Sequence, residues 1–311
     1  MPRLAKKDLI SIHDLTAEEI RVILDLAADL KKKQQNGEKH EYLWAKSLAM
    51  IFEKPSTRTR VSFEIGMWQL GGLAINLDSE TIGLGTRESI GDVAKTLSRF
   101  ADAILFRTFA HSKVLELAEH ATVPVINGLS DLTHPCQALA DLQTVQEKKG
   151  RLEGIKFAYI GDGNNVCHSL MFAAAKTGMD LYIATPPGYE PDPEIVKLAF
   201  DDAKQSGVEI EISNDPVIAA KDADVIYTDV WASMGQEKEK AKRAKIFQPY
   251  QINSQLACLA KDDYIFMHCL PAHRGEEVSA EVIDGPNSVV FDQAENRLHA
   301  QKAILVALLN K

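Results

Sequence analysis

Apolar positions with two different spacings alternate along the first half of the chain. Helical spacing over Thr16–Lys33, opened by a capping box with Glu19, predicts an amphipathic helix. The apolar run Ser47–Phe52 predicts a buried strand, and the helix that follows continues to Leu70, where two glycines end it. Shorter strands are predicted at Ile75–Leu77, Ala103–Phe106 and Val123–Ile126. Because strands alternate with helices, the pattern predicts a parallel α/β sheet.

A second cycle begins after Gly150. A helix over Pro135–Lys149 connects the two halves, and Ala300–Asn310 predicts a terminal helix that can pack on either domain. The charged run Glu237–Lys245 is typical of a solvated helical face. Six strands are predicted in this half: Ile155–Ile160, Asp180–Thr185, Glu209–Ser213, Val225–Thr228, Tyr264–Met267 and Val289–Phe291. The predicted fold class is therefore α/β, with two domains that each contain a parallel-type sheet flanked by helices.

Length and charge narrow the function classes. The chain has 311 residues, enough for two domains, and a formal net charge of −9. Nucleic acids and anionic membranes are poor partners for such a chain, although a local positive pocket for a small anion is allowed. The first residues lack the apolar segment of a secretory signal, and no apolar run approaches the ~20 residues of a membrane helix. The four cysteines show no CxxC spacing, which argues against zinc and dithiol chemistry and suits a cytoplasmic location.

The segment from Phe52 to Arg60 combines a strand end, a helix start and several anion-binding groups. Pro55 disfavours helix before it, and Ser56 can cap the helix that follows. Free backbone N–H groups and the positive end of the helix dipole then face the segment Ser56–Thr59. Arg58 and its neighbours add guanidinium groups suited to phosphate oxygens. An ordinary helix cap with two surface arginines is the alternative.

A second junction of this kind lies at Thr133–Gln137. Pro135 suits the first position of a helix, so His134 is directed at the same sheet edge as Ser56. A lone histidine is usually structural, and both interpretations stay open on the sequence alone. Arg107, just past a predicted strand, can bring a further cation to this edge.

Polar residues also follow the predicted strands of the second half. The segment Gly161–Val166 imitates a dinucleotide fingerprint, but Val166 replaces its third glycine and the next strand offers no acid for a ribose. A turn that places Asn165 over the sheet edge fits better. Asp229 follows another strand and can hold an ammonium group, unless it only caps the next helix. The loop Ser233–Gly235 after it has small residues that permit movement.

The segment Met267–Gly275 contains adjacent His268 and Cys269. Neighbouring side chains in an extended segment point to opposite faces, which argues against a thiol–histidine dyad. Cys269 either lines a pocket or is a buried, inert thiol.

Taken in order, STRTR, HPCQ, GDGNNV, the loop after Asp229 and HCLP closely resemble the ornithine carbamoyltransferases. The resemblance runs from the first helix to the C-terminal DQAENRLHAQ. It implies transfer of the carbamoyl group of carbamoyl phosphate to the δ-amine of L-ornithine, giving L-citrulline and phosphate without a metal or organic cofactor. Amine attack forms a tetrahedral oxyanion, which cationic and hydrogen-bonding groups stabilise.

The resemblance also implies roles for individual residues. Arg107, His134, Asp229 and Cys269 would be catalytic. Asn165, Asp229, Ser233 and Met234 would hold ornithine, and the Leu270–Pro271 bond would be cis. Carbamoyl phosphate would be bound by Ser56, Thr57, Arg58, Thr59, Arg107, His134, Pro135, Cys136, Gln137, Cys269, Leu270 and Arg297.

The family resemblance further implies an architecture and an assembly. Residues 1–134 would form a carbamoyl-phosphate-binding domain, with the C-terminal helix 295–311 packed back onto it. Residues 135–150 would link it to an ornithine-binding domain over 151–294, with the active site in the cleft between them. A homotrimer, or a multiple of trimers, is expected. One departure concerns the loop that reaches a neighbouring subunit, where Gly83 stands in place of a glutamine or histidine; Arg87 is a candidate to compensate.

Other functions compete with this hypothesis. An aspartate acceptor calls for cations in the second-substrate pocket, whereas the sequence supplies Asp229 and Cys269. A putrescine acceptor has no α-carboxylate for Ser233–Gly235 to bind. An NAD-dependent dehydrogenase explains two α/β halves but lacks the full fingerprint, and a non-catalytic phosphate binder would leave most catalytic-type residues unexplained. The sequence leaves open whether the reaction serves arginine biosynthesis or breakdown.

Overall fold

The computed structural model describes residues 4–232 and 237–310. Within this range the chain forms two compact units. Unit 1 comprises Met1–Gln143 with Glu295–Lys311, and unit 2 comprises Thr144–Ala294. Each unit is an α/β layer structure, which confirms the predicted fold class.

Unit 1 is built on a parallel sheet with the strand order β2-β1-β3-β4. The strands β1 and β3 are fully internal, and their side chains form the core of the unit with the helices. Its elements are α1 (Ala17–Gln35), β1 (Ser47–Phe52), α2 (Thr57–Gln69), β2 (Leu73–Asp78), α3 (Ser79–Ile82), α4 (Ile90–Phe100), β3 (Ala103–Arg107), α5 (His111–His120), β4 (Val125–Leu129) and α6 (Pro135–Lys149), whose last residues belong to unit 2.

Unit 2 has a five-stranded parallel sheet with the order β7-β6-β5-β8-β9. Its elements are β5 (Lys156–Ile160), α7 (Asn165–Thr177), β6 (Asp180–Ala184), α8 (Pro193–Ser206), β7 (Ile210–Ser213), α9 (Pro216–Ala220), β8 (Val225–Thr228), α10 (Lys240–Phe247), α11 (Ser254–Ala257), β9 (Ile265–His268), α12 (Ala280–Ile283) and α13 (Val290–Leu309), whose residues from Glu295 onward belong to unit 1. In the described range, no helix is both long and apolar enough to span a bilayer.

Both sheets contain a point where the strand order reverses direction. In unit 1 the reversal lies between β1 and β3, and in unit 2 it lies between β5 and β8. Parallel α/β sheets bind ligands at the carboxyl ends of the two strands that flank such a point. The four segments at these ends begin at Glu53, Thr108, Gly161 and Asp229. The topology alone therefore selects the loops in which functional side chains are expected.

One predicted strand is wrong. Val289–Phe291 is the entry to helix α13, which begins at Val290 rather than near Ala300. The β-branched and aromatic run suggested a strand, but Phe291 is 73% exposed and only Ser288 makes an isolated bridge to Phe266. The part of α13 before Ala300 was not predicted from hydrophobic spacing because many of its buried residues are polar, including Gln293, Asn296 and Arg297.

A buried lysine in α13 gives a test of this packing. Lys302 is fully buried, and its Nζ donates to Gln34 Oε1 at 2.8 Å and Gln69 Oε1 at 2.9 Å. Its Nζ also lies 3.3 Å from His40 Nε2. Burial lowers the pKa of Lys302 from 10.5 to about 8. Between these values the unfolded chain binds more protons than the folded chain, so this group makes stability rise with pH.

We therefore expect the stability of the natural protein, relative to a Lys302→Met variant, to rise between about pH 8 and pH 10.5. The slope cannot exceed about 1.4 kcal/mol per pH unit, the value for one proton. Denaturant unfolding of both proteins across this range measures the difference. A difference in unfolding free energy that is constant with pH contradicts the assignment.

Candidate active site

The Ser56 segment is a capped helix start at the end of β1. The Ser56 side chain accepts from the backbone N–H of Thr59 at 3.2 Å, which confirms the predicted cap. Thr59 is fully buried, whereas Thr57 is exposed and Arg58 is half-buried. The remaining N–H groups of the first turn and the helix dipole favour an anion here.

Two guanidinium groups converge on the hydroxyl oxygen of Thr59. Arg107, the last residue of β3, places Nη1 3.4 Å from Thr59 Oγ1, and Arg297 of α13 donates to the same oxygen at 3.0 Å. Arg107 and Arg297 are 7% and 2% exposed. The Thr59 oxygen accepts from both cations. Thr59 can therefore still donate its hydroxyl proton to an anion.

The start of α6 adds a histidine and an amide to this cluster. Pro135 is the first helical residue, as predicted, and His134 immediately before it is buried. Gln137 accepts from Arg297 Nη1 at 2.7 Å and donates to Asp141 Oδ1 at 2.8 Å, so its amide orientation is fixed. Cys136 points away, with its thiol 3.5 Å from the carbonyl oxygen of Asn127, so only its backbone faces the helix start.

The electrostatics of the cluster are strongly positive. Burial holds the pKa of His134 well below 6.5, and the nearby Arg297, Arg107 and Arg58 lower it further. Lys54, which lies 4.0 Å from the centre of the Phe109 ring, also has a lowered pKa, through burial and then through Arg107. His134 is therefore a neutral imidazole at neutral pH and can donate one N–H without carrying charge. Sequence reasoning had not singled out Lys54.

In unit 2, two loops meet at the reversal of strand order. Asn164 caps α7 by accepting from Val166 and Cys167 backbone N–H groups, and its Nδ2 donates to Asp229 Oδ2 at 2.7 Å. Asp229 is 6% exposed and also accepts from its neighbour Val230 N–H at 2.8 Å. Asn165 is the first residue of α7. The capping residue Asn164, absent from the sequence prediction, orients the Asp229 carboxylate.

The HCLP segment lies beside the same carboxylate. Cys269 Sγ lies 2.9 Å from Asp229 Oδ1, whereas the His268 ring faces the interior. The two side chains thus diverge as predicted, and the Leu270–Pro271 bond is cis, as the resemblance implied. Ser233 and Met234, the remaining predicted ornithine contacts, lie outside the described residues.

Gly163, the second glycine of the segment Gly161–Val166, is required by close packing. A Cβ atom at Gly163 would lie 2.3 Å from the Pro191 backbone nitrogen and 2.5 Å from the Glu190 carbonyl carbon. The backbone of a neighbouring loop therefore occupies the space beside this glycine. This close approach accounts for the second glycine of the apparent dinucleotide fingerprint without a bound nucleotide.

Three potential metal ligands, Asp229, His268 and Cys269, offer atoms within 4.8 Å of one another. Each is engaged in the hydrogen bonds of this segment: the thiol with Asp229, and both His268 ring nitrogens with Leu270 and Glu277. The sequence-based expectation that the enzyme uses no metal stays a prediction.

Arg243 corrects the prediction that Glu237–Lys245 is a solvated face. Its guanidinium is buried, with Nη1 2.9 Å from both Asp162 Oδ2 and the Trp231 carbonyl oxygen, while Nε donates to Glu239 at 3.1 Å. It also stacks over the Tyr189 ring at 4.8 Å. Asp162 and Tyr189 come from segments that are distant in the sequence, so the local charge pattern could not reveal these two partners. Arg243 fixes residues on both sides of 233–236.

The family resemblance assigns ornithine to Ser233 and Met234, which lie between the Arg243 partners Trp231 and Glu239 in the sequence. If that assignment holds, Arg243→Met is expected to raise the KM for ornithine by about tenfold, the effect of losing charge-assisted hydrogen bonds. The Asp162 carboxyl, whose pKa burial raises to about 6, would lose the cation that opposes this shift. Arg243→Lys should not restore the KM because lysine lacks the forked geometry. Lys242→Met, at an exposed neighbouring position, is the matched control. Steady-state kinetics measures both variants, and equal KM values for Arg243→Met and Lys242→Met would contradict the assignment.

Family models match both parts of the chain. Residues 7–147 match the model described as aspartate/ornithine carbamoyltransferase, carbamoyl-P binding domain, and residues 153–308 match its Asp/Orn binding domain. The chain belongs to the aspartate/ornithine carbamoyltransferase family. This confirms the family resemblance drawn from the sequence.

Full-length relatives of this family carry ornithine in their names. An ornithine carbamoyltransferase of Thermococcus kodakarensis is 58% identical over 306 residues, covering 98% of this chain and 97% of the relative. An anabolic ornithine carbamoyltransferase of Pyrococcus furiosus is 59% identical over 306 residues, covering 98% and 97%. A solved structure of the ornithine carbamoyltransferase from Pyrococcus furiosus superposes with a TM-score of 0.96 at 58% identity and 99% coverage of each chain.

The loop that departs from the usual family pattern has a defined conformation. Gly83 ends α3 in the left-handed region with φ 66°, and a Cβ atom there would lie 2.7 Å from Arg87 Cβ. Arg87 Nη2 donates to the Ile82 carbonyl oxygen at 3.2 Å. The glycine is thus needed for this turn, and Arg87 folds back onto the end of α3.

Proposed function

We propose that this chain transfers the carbamoyl group of carbamoyl phosphate to the δ-amine of L-ornithine, giving L-citrulline and phosphate. The observation that carries this proposal is the buried cluster of Arg107, Arg297 and neutral His134 beside the capped start of α2. Such a cluster suits a phosphate joined to a carbonyl. The cations and the helix start balance the negative charge of the phosphate, and the neutral His134 N–H can donate a hydrogen bond to the carbonyl oxygen. The full-length relatives named ornithine carbamoyltransferase support the same reaction.

In this proposal the first substrate is held mainly by unit 1. Ser56, Thr57, Arg58 and Thr59 bind the phosphate oxygens, and Arg107 contacts both phosphate and carbonyl. His134 and Thr59 polarise the carbonyl by donating hydrogen bonds. The amide of Gln137, fixed by Arg297 and Asp141, accepts from the carbamoyl nitrogen. The helix start at Pro135 and Cys136 contributes backbone groups, and the backbone carbonyl of Leu270 accepts a second carbamoyl N–H.

The second substrate is assigned to polar groups of unit 2. The Asp229 carboxylate, oriented by Asn164, binds the α-ammonium of ornithine, and Asn165 contacts the same end. Ser233 and Met234 are proposed for the α-carboxylate. Cys269, adjacent to Asp229, lies beside the attacking amine. A site in the cleft between the two domains stays a prediction from the sequence.

The reaction follows from these assignments. The uncharged δ-nitrogen forms a bond to the carbamoyl carbon, and the carbonyl π electrons move onto oxygen. Arg107, His134 and Thr59 stabilise that oxyanion, an effect worth about 10²- to 10³-fold in kcat for a single donor. The oxyanion then re-forms the carbonyl as the C–O bond to phosphate breaks. Phosphate leaves with the bonding pair and takes up the proton that the nitrogen loses.

We also propose a homotrimer. The outer face of α2 exposes Val61, Ile65 and Trp68, which recur at helical spacing, and Trp68 is 75% exposed. The adjacent edge strand β2 exposes Leu73 and Ile75. An apolar helix face next to an open sheet edge is the kind of surface that a second copy of the chain covers. The loop containing Gly83 would then reach a neighbouring active site through backbone groups only.

A cytoplasmic location and a role in arginine biosynthesis complete the proposal. The four cysteines in the described residues are free thiols, which suits a reducing compartment. The anabolic designation of the Pyrococcus furiosus relative favours the biosynthetic direction.

The acceptor is tested by incubating the pure protein with carbamoyl phosphate and, separately, ornithine, putrescine or aspartate. Ornithine should give by far the highest kcat/KM, with citrulline as the product. Preferential carbamoylation of putrescine or aspartate would overturn the assignment of the acceptor.

A further inference from the structure

Glu277 is a fully buried carboxylate next to the HCLP segment, and the reaction described above does not use it. Its Oε1 lies 3.2 Å from His268 Nε2 and accepts from the His273 backbone N–H at 2.5 Å. His268 is also fully buried. One carboxylate thus holds the segment 268–273 near both of its ends.

The protonation of His268 follows from its second contact. The backbone N–H of Leu270 donates to His268 Nδ1 at 2.8 Å. Since a backbone N–H can only donate, Nδ1 carries no proton, and the ring proton resides on Nε2, facing Glu277. The contacts therefore form a directed chain, in which Leu270 donates to His268 and His268 donates to Glu277.

Leu270 has a backbone conformation that needs such support. Its φ of 58° lies in the left-handed region, which costs a residue other than glycine about 1–2 kcal/mol. Conformations of this kind persist when surrounding contacts fix them, and they cluster at functional sites. Here the fixing contacts are the His268 ring on one side and the His273 N–H bound to Glu277 on the other. Together they set the direction of the Leu270 carbonyl.

We propose that Glu277 is a positioning residue for carbamoyl transfer, which acts through His268 and the His273 backbone to aim the Leu270 carbonyl at the carbamoyl amide. The inference rests on the proposed function, in which that carbonyl accepts a carbamoyl N–H. It assigns no contact between Glu277 and substrate. The carboxylate is well suited to a permanent role: burial alone would raise its pKa, but hydrogen bonds from His268 and His273 bring the pKa below 4.5.

The first test compares Glu277→Ala with Glu277→Gln. Alanine removes the acceptor for both N–H groups, so the KM for carbamoyl phosphate should rise by about tenfold, the cost of one misplaced amide hydrogen bond. Glutamine retains an acceptor oxygen in the same place and should restore most of the affinity. The inhibition constant of inorganic phosphate should not change in either variant, because phosphate alone has no amide for Leu270 to hold.

A second pair of variants tests the proposal even if the Glu277→Ala protein does not fold. His268→Asn keeps an acceptor near the position of Nδ1, whereas His268→Leu removes it. The Leu variant should raise the KM for carbamoyl phosphate, and the Asn variant should raise it less. Because Glu277 also holds the His273 N–H, combining His268→Leu with Glu277→Ala should raise the KM further, but by less than the product of the two single effects.

The proposal is overturned if Glu277→Ala and His268→Leu both keep the natural KM for carbamoyl phosphate. It is also overturned if carbamoyl phosphate and inorganic phosphate lose affinity equally, as a general structural defect would produce. Failure of the proposed function is a separate result. It would appear in the natural protein as absence of citrulline formation, before any variant is compared.

Discussion

Replacing Arg107 with methionine should lower kcat by about 10²- to 10³-fold, the loss that follows removal of one oxyanion-stabilising donor. The stability of the folded protein should not fall. Arg107 is buried among other cations, and its Nη1 contact with Thr59 Oγ1 is long, at 3.4 Å. Like charges at short range oppose folding, so removal of one of them offsets the lost hydrogen bond. Arg107→Met should therefore lower kcat without lowering the free energy of unfolding.

Arg60→Met is the matched control. Arg60 lies on α2 near the cluster, but it is exposed and pairs with Glu64 at 3.0 Å. Its replacement should leave kcat unchanged and alter stability little, as is usual for exposed ion pairs. Steady-state kinetics and thermal unfolding measure both effects. If Arg107→Met lowered the free energy of unfolding but left kcat intact, Arg107 would be structural and the oxyanion assignment wrong.

Replacing Asp229 with asparagine should weaken ornithine binding by about 30- to 5,000-fold, the range for truncating one partner of a buried ion pair. Asparagine has nearly the same shape, but it removes the charge and places an NH₂ group among donors. Asn164, Val230 N–H and the Cys269 thiol already surround this carboxylate. Affinity for carbamoyl phosphate should stay close to that of the natural protein, since its phosphate is assigned to groups of unit 1.

Asp262→Asn, an exposed acid of the same unit, controls for the general change of charge. The measurement is the KM for each substrate with the other held at saturation. An Asp229→Asn enzyme with the natural KM for ornithine would remove Asp229 from the ornithine site. Equal losses for both substrates would indicate a structural role instead.

Local signals allowed the two helix starts that we propose to bind the anion to be predicted. The cap at Ser56, the strand Ser47–Phe52 and the proline start of α6 depend on residues within one turn of each other, and the structure reproduces them. The cis bond at Leu270–Pro271 was implied by the family resemblance and is also present. The reversal of strand order accounts for polar groups in the loops after β1, β3, β5 and β8. The start of α6 and Leu270 instead follow β4 and β9, the strands next to β3 and β8.

Contacts between distant segments could not be predicted in the same way. Arg243 looked solvated because its partners Asp162 and Tyr189 are far away in the sequence. Asn164 was passed over because its role depends on the adjacent strand that carries Asp229. The false strand at Val289–Phe291 arose from β-branched and aromatic composition, which tertiary packing overrode. Arg297 was predicted as a site residue only from the family resemblance, because α13 brings it to Thr59 from the far end of the chain.

The most direct test of the proposed reaction is formation of the new bond. Carbamoyl phosphate labelled with ¹³C at the carbonyl is incubated with the natural protein and ornithine labelled with ¹⁵N at the δ-nitrogen, and the products are observed by NMR. Direct attack predicts a ¹³C signal of the citrulline ureido carbon that is split by one-bond coupling to ¹⁵N. A ¹³C label recovered without coupling to that nitrogen, in cyanate or carbonate alone, would contradict carbamoyl transfer to the δ-amine.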